Sequence, residues 1–235
     1  MVKIIAIIPA RSGSKGIINK NIEKIGNKTL IQRAIDFSLS ISEIDYTVLS
    51  TDSEEYYKNI KKKKKLFFNG LRPKYLSNSK SSTIETVIYE IKKFEKLTNI
   101  DVDFFVILPP TSPFRSISDI KKGIKKLIDK KLSSVVSVYK LKRKPLSILE
   151  KKNNKLKPII RSKKYSFSNR QEMKNLYHIN SNFTILNKKD FLKKKNIILN
   201  PCGEIIQDEI KSINIDSKLD LDLSRFIFKR YKVKE

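Results

Sequence analysis

Between residues 11 and 16 the chain reads Arg-Ser-Gly-Ser-Lys-Gly, directly behind the apolar run Ile4-Ile5-Ala6-Ile7-Ile8. A buried strand that ends in a glycine-bearing turn lets backbone N–H groups approach an anion closely. Gly13 and Gly16 supply that freedom, Ser14 a hydroxyl, and Arg11 and Lys15 two cations beside it. The pattern is that of a phosphate loop. Glycine and serine also favour an ordinary strand-to-helix turn, but turn chemistry explains neither cation.

The elements around this loop alternate. Ile4 to Ile8 reads as a buried strand, and Thr29 to Ile41 as a helix with Leu30, Ile31, Ala34, Ile35 and Leu39 near helical spacing. Tyr46 to Ser50 is expected as a second strand, 53–65 as a helix, and Leu66 to Phe68 as a short strand closed by Asn69-Gly70. A helix over 82–97 follows, then the apolar strand Phe104 to Leu108, a helix over 118–131, and the strand Ser133 to Tyr139. Asn182 to Leu186 returns to the sheet, Ile213 to Asp216 adds a short strand, and Leu219 to Phe228 closes as a helix. Strands alternating with helices predict an α/β fold with a mainly parallel sheet flanked by helices. Ligands of such sheets sit at the carboxyl ends of the strands. The loops at those ends are Pro9 to Asn21, Ser50-Thr51-Asp52 and Pro109 to Arg115. The expected division is an α/β domain over 1–139 and 181–235, with 140–180 as an excursion: lysine-rich and irregular, yet anchored by Ile148-Leu149, Ile159-Ile160 and Tyr165-Ser166-Phe167.

Composition narrows the classes. With 39% hydrophobic residues in 235, the chain can build one substantial core. No apolar stretch approaches the roughly 20 residues of a membrane span, and the opening run leads into charge instead of a small-residue cleavage site, so a cytoplasmic protein without membrane association is expected. The single cysteine, Cys202, is expected as a small core residue. The formal net charge of +27 invites a nucleic-acid reading. Yet only nine of 51 basic residues are arginine, and no aromatic residues interleave with runs such as Lys61 to Lys65 for stacking. Most of the charge is therefore read as a solvated lysine surface, with no specific nucleic-acid partner.

Taken in order, these blocks resemble the acylneuraminate cytidylyltransferases, which make CMP-activated sialic and related nonulosonic acids. The resemblance rests on Ile8-Pro9-Ala10-Arg11-Ser12-Gly13-Ser14-Lys15-Gly16 with Asn19-Lys20-Asn21, then Ser50-Thr51-Asp52, Arg72-Pro73 and Pro110-Thr111-Ser112-Pro113-Phe114-Arg115. Asn169-Arg170-Gln171, Asn180 and Asp216-Ser217-Lys218-Leu219-Asp220-Leu221 extend it over nearly the whole chain. It implies a Rossmann-like nucleotidyltransferase fold with a small dimerisation excursion, CTP and a nonulosonic acid as substrates, Mg²⁺ as cofactor, and a homodimer. By similarity Arg11 and Lys15 hold the triphosphate with Gly13 and Ser14, Asn21 contacts the nucleotide, and Arg72 and Thr83 recognise cytosine. Asp216 binds magnesium, the catalytic set being Arg11, Lys15 and Asp216. Arg170 reaches a neighbouring subunit's site, and His178 and Asn180 meet the sugar.

This chain departs from the family pattern at informative places. Asn214 stands where a second aspartate is usual, so it is expected beside Asp216 at the metal as an uncharged ligand. Pro109 replaces a glutamine, Ser147 a lysine and His178 an arginine, all where the family meets the sugar. Two readings stand for His178: contact with the substrate carboxylate, or packing on Tyr177. Arg72 also reads as an exposed charge before Pro73, and Asp216-Ser217 as a plain helix start. The alternatives to the full reaction are a cytidylyltransferase for 3-deoxy-octulosonic acid, a degenerate relative that binds nucleotide without turnover, and an RNA-binding factor.

Overall fold

A computed structural model describes residues 2–13, 16–78, 81–141, 148–159 and 176–231. Seven strands, β1 (Ile4–Pro9), β4 (Tyr46–Ser50), β5 (Leu66–Phe67), β6 (Phe104–Ile107), β7 (Ser134–Lys140), β10 (Tyr177–Asn187) and β11 (Cys202–Ile206), form one sheet. Their order across it is β11-β7-β10-β6-β1-β4-β5. Neighbouring pairs are parallel except those of β10, which runs antiparallel to both β6 and β7. Two small ribbons, β2 (Lys24–Ile25) with β3 (Lys28–Thr29) and β8 (Leu149–Lys152) with β9 (Lys155–Pro158), stand apart from it.

Strand side chains alternate between faces, and β1 shows how both faces are buried. Ile4, Ala6 and Ile8 join one core with α1 (Leu30–Leu39), α2 (Glu54–Lys58) and α4 (Ile117–Asp129). Ile5 and Ile7 join the other with α3 (Thr83–Thr98) and α5 (Lys188–Lys194). A third, smaller cluster of Ile25, Leu30, Ile215 and Leu221 ties α6 (Lys218–Arg230) to the β2–β3 ribbon.

Several expectations are corrected. The helix expected over 53–65 stops at Lys58: the Lys61 amide donates instead to Gln32 Oε1 at 2.8 Å, and continuing the helix would stack the five lysines 61–65 at like-charge spacing. No strand forms at 213–216, because its backbone groups serve the site: the Ile215 amide donates to the Thr111 carbonyl at 2.8 Å, and the Ile215 carbonyl accepts from Lys20. The return strand starts at Tyr177, and α5, β11 and the β8–β9 hairpin come in addition to the expected elements. Cys202 lies in β11, half-buried. Every residue of β8 and β9 is exposed. No helix among the described residues is long and apolar enough to cross a membrane.

Helix α3 carries site residues on one end and is anchored by Phe94, which is fully buried between the rings of Tyr46 at 5.4 Å and Phe67 at 5.1 Å. Phe94→Ala is expected to cost about 3–5 kcal/mol, as deletion of a buried aromatic does. Urea unfolding of the two proteins checks this, and a loss below about 1 kcal/mol would contradict the packing described.

Candidate active site

The carboxyl ends of β1, β4 and β6 converge on one edge of the sheet, and the loop after β1 is fastened there from several sides. The Ala10 amide donates to the Ser50 carbonyl at 2.8 Å. Asp52 accepts from the Ser12 amide at 2.8 Å and the Ser12 hydroxyl at 3.0 Å, and Asn21 Nδ2 donates to the Arg11 carbonyl at 2.9 Å. Asn21 is buried, so its amide shapes the loop from inside. Arg11 Nη1 donates to the Asn78 carbonyl at 2.9 Å and is partly exposed at the loop's rim. Ser14 and Lys15 lie outside the described residues.

The two glycines differ. A Cβ on Gly13 would meet nothing within 4 Å, whereas one on Gly16 would sit 2.1 Å from the Asp216 carbonyl oxygen. Gly16 is therefore the position at which the C-terminal segment closes on the loop. The same junction holds Lys20, buried to 9% exposure, whose Nζ donates to the Ile215 carbonyl at 2.7 Å and to Asp216 Oδ1 at 3.1 Å. Asn214 Nδ2 donates to the other carboxylate oxygen, Asp216 Oδ2. Its Oδ1 is buried and accepts no hydrogen bond, an orphaned acceptor next to an exposed carboxylate. Asp216 is oriented from behind by α6. The Asp220 carboxylate accepts from the Asp216 amide at 3.0 Å, the Ser217 amide at 2.7 Å and the Ser217 hydroxyl, closing a capping box. These donors hold the Asp220 carboxyl below the usual aspartate range despite partial burial, which acts the other way. The helix-start reading of Asp216-Ser217 is met: Ser217 is the cap of α6, and Asp216 is the residue just ahead of it.

On the other side of Asp52 a cavity of about 500 Å³ is lined by Asp52, Leu71, Arg72, Pro73, Lys74, Ser77 and Asn78. Arg72 is buried to 6% exposure, so it is not a surface charge in a turn. Its amide donates to the Thr51 carbonyl at 2.7 Å and its Nη1 to Thr86 Oγ1 at 3.3 Å, while Nε and Nη2 have no partner. Burial lowers its pKa, opposed by the charges of Asp52 and Glu90. Two orphaned donors on a buried guanidinium suit a ligand that brings acceptors, such as a pyrimidine carbonyl and ring nitrogen. Thr83, the first residue of α3, is exposed, and the threonine that Arg72 touches is Thr86 one turn on.

The third part of the edge lies where β6 gives way to Pro109–Arg115 and β10 passes beside it. Arg115 Nε donates to the Asn182 carbonyl at 3.1 Å and Nη2 to the Pro109 carbonyl, so one guanidinium staples the two segments. Burial without a carboxylate partner pushes Arg115 down from its ordinary value. Asn180 is buried, with Nδ2 donating to Gln207 Oε1 at 2.8 Å and Ser212 Oγ at 3.0 Å, and Oδ1 accepting from the Asn182 amide at 3.2 Å. Its side chain is occupied within the protein. His178 is exposed and tilts over Tyr139 with ring centroids 5.3 Å apart, so its aromatic neighbour is Tyr139 and not Tyr177. Arg170 and Ser147 lie outside the described residues.

Sequence reasoning passed over Lys20, Asp52, Thr86 and Glu90 as site residues. Lys20 and Asp52 stood inside quoted blocks, and their role emerges only from partners far along the chain. Glu90 is buried beneath Arg72, accepting from Ser50 Oγ at 2.7 Å. Burial pushes its carboxyl above the usual glutamate range, with Ser50, Lys93 and Arg72 pulling the other way.

A mostly parallel sheet, a glycine loop leaving its first strand, and a carboxylate closed against that loop define a nucleotide-binding α/β protein. The chain belongs to the cytidylyltransferase family, whose pattern it matches over residues 5–221. It is 28% identical to the post-translational flagellin modification protein B of Campylobacter coli, with 97% of this chain and 96% of that one covered. It is 32% identical to the N-acylneuraminate cytidylyltransferase of Escherichia coli O18:K1:H7, over 94% of this chain but 51% of that larger protein. Identity to the CMP-N,N'-diacetyllegionaminic acid synthase of Legionella pneumophila is 30%, over 94% of both. The fold is that of CMP:2-keto-3-deoxy-manno-octonic acid synthetase solved with CTP, at a TM-score of 0.66 and 15% identity, covering 97% of this chain and 99% of that one.

Two outcomes follow. Lys20→Met strands the Ile215 carbonyl and leaves Asp216 without its ion-pair partner, so it is expected to destabilise the protein by about 1–3 kcal/mol in urea unfolding and to weaken CTP binding in titration calorimetry. Unchanged CTP affinity would separate Lys20 from the site. For Glu90 the raised folded-state pKa means that its contribution to stability is complete below the ordinary glutamate range and is lost as pH rises through the raised value. Relative to Glu90→Gln, which keeps an oxygen for Ser50 and does not titrate, the wild type should lose stability over that window. Parallel stability–pH curves for the two proteins would refute this.

Proposed function

We propose that this protein transfers the CMP group of CTP to the anomeric hydroxyl of a nonulosonic acid. In that reaction the acceptor oxygen bonds to the α-phosphorus, the bridge to the β-phosphate breaks, and pyrophosphate leaves. The observation that carries the reading is the junction of Gly16, Lys20 and Asp216 on the loop after β1, in a chain that matches the CMP-N,N'-diacetyllegionaminic acid synthase of Legionella pneumophila over 94% of both chains.

Phosphoryl transfer disperses negative charge over oxygens, so alignment and neutralisation do most of the work. Arg11 and Lys15 hold the triphosphate together with Gly13 and Ser14, and Asn21, which donates to the Arg11 carbonyl, braces the loop for the nucleotide. Arg72 offers its two unpartnered donors to cytosine, and exposed Thr83 at the start of α3 is the second residue assigned to the base. Mg²⁺ suits Asp216, a hard exposed carboxylate, with the orphaned Asn214 Oδ1 as an uncharged second oxygen; the ion prefers few protein ligands plus phosphates and water. When bound, it supplies positive charge to the phosphates. Arg170, from a second subunit of a cytoplasmic homodimer, and the ring N–H of His178 are offered to the acceptor's carboxylate.

The test is pyrophosphate release from CTP and Mg²⁺ with N-acetylneuraminic acid, N,N'-diacetyllegionaminic acid and 3-deoxy-octulosonic acid. Release with one of the first two is expected. Release with the octulosonic acid alone would move the assignment to that smaller acceptor, and CTP binding without release from any would leave a nucleotide-binding relative. Asn214→Asp restores a second negative charge, so it should lower the Mg²⁺ concentration for half-maximal activity and tighten Mg²⁺ binding to the CTP complex in calorimetry. Weaker binding in the variant would remove Asn214 from the metal.

A further inference from the structure

Ser181 holds a left-handed backbone conformation in the middle of a strand. Its φ is 56°, and it sits in β10 where the register against β7 breaks between Ile179 and Thr184. Among the described residues the other non-glycine positions with positive φ end helices, turn the β8–β9 hairpin or lie in the loop after β1. Serine in this conformation carries a steric cost that glycine escapes. Such residues persist where their surroundings over-determine them, and they cluster at functional sites.

The surroundings here do over-determine it. Asn180 on one side is buried and bonded to Gln207, Ser212 and the Asn182 amide. Asn182 on the other is fully buried, its Nδ2 donating to the Phe114 carbonyl at 3.1 Å and the Lys211 carbonyl at 2.6 Å. The Ser181 carbonyl itself accepts from Ser112 Oγ at 3.3 Å. Both asparagine amides thus face inward, and the serine between them is exposed, its hydroxyl taking no partner among the described residues.

Ser181 also stands in the right neighbourhood. Ser112 follows Thr111, whose carbonyl accepts the Ile215 amide at 2.8 Å, and Ile215 precedes Asp216 against Gly16. Ser181 is thus tied through Ser112, Thr111 and Ile215 to the junction at the phosphate loop, on the β6–β10 side of the edge. We propose that Ser181 is a specificity-determining residue whose hydroxyl hydrogen-bonds an oxygen of the acceptor sugar, with Asn180 and Asn182 as positioning residues that hold it in the left-handed conformation. This rests on the reaction proposed above. A hydroxyl that both donates and accepts suits a polyhydroxylated acid.

The experiment compares wild type, Ser181→Ala and Ser181→Gly in pyrophosphate release at saturating CTP, using whichever of N-acetylneuraminic or N,N'-diacetyllegionaminic acid the wild type turns over. Both variants should raise the KM for the acid about fivefold, the worth of one neutral hydrogen bond, with the KM for CTP unchanged. Ser181→Gly should also melt about 2–4 °C higher because the backbone cost is removed, a gain that Ser181→Ala should not show. A wild-type KM for the acid in Ser181→Ala overturns the assignment, and a purely structural serine would move only the melting temperatures. Absence of release by the wild type with either acid overturns the parent reaction and the acceptor role together. Turnover by the wild type with an indifferent Ser181→Ala overturns the acceptor role alone.

Discussion

One contact organises the reaction end of this molecule: the Lys20 ammonium lodged between the Ile215 carbonyl and the Asp216 carboxylate, 195 and 196 positions away in the chain. An ammonium buried to this degree needs an oxygen partner, and the only way to bring that partner so near is a residue without a side chain at Gly16. The loop after β1 is therefore half of a site. Its other half arrives from the far end of the sequence, and the segment that delivers it gives up sheet hydrogen bonding to do so.

The sheet explains why those parts meet. Loops at the carboxyl ends of parallel strands emerge on one edge, as β1, β4 and β6 show. The antiparallel β10, inserted between β6 and β7, enters that edge from the opposite direction and sets Asn180–Asn182 beside Pro109–Arg115. Arg115 and Ser112 then bind the two segments together. The excess of lysine plays little part. Pairs such as Lys125 with Asp129 and Lys58 with Glu54 are solvent-exposed, where screening by water leaves them little weight in stability.

How much of this was readable from residues alone depends on how local the signal is. Continuous apolar runs marked β1 and β6, valine- and leucine-bearing segments marked β4 and β7, and helical spacing marked α1, α3, α4 and α6, because each pattern is written within its own segment. β11 escaped since Cys202–Ile206 interrupts its apolar residues with Gly203 and Glu204, and α5 because seven residues dominated by lysine carry little periodicity. At this edge, Gly16 was marked by residue type and spacing, whereas Arg72 and Asp216 were marked only by resemblance to the family. Lys20, Asp52, Glu90 and Ser181 were not, since an ordinary polar residue acquires its role only when a distant partner or an unusual backbone angle is known.

The capping box of α6 has a wider meaning. The carboxylate that starts this helix also fixes the backbone of Asp216, so the acid's aim is correct only while the first helical turn is wound. Helix nucleation and the placement of Asp216 are one equilibrium here. Fraying of a surface helix, ordinarily a silent local event, would loosen the Asp216 carboxylate at the Gly16 junction, and anything that clamps α6 would hold it there.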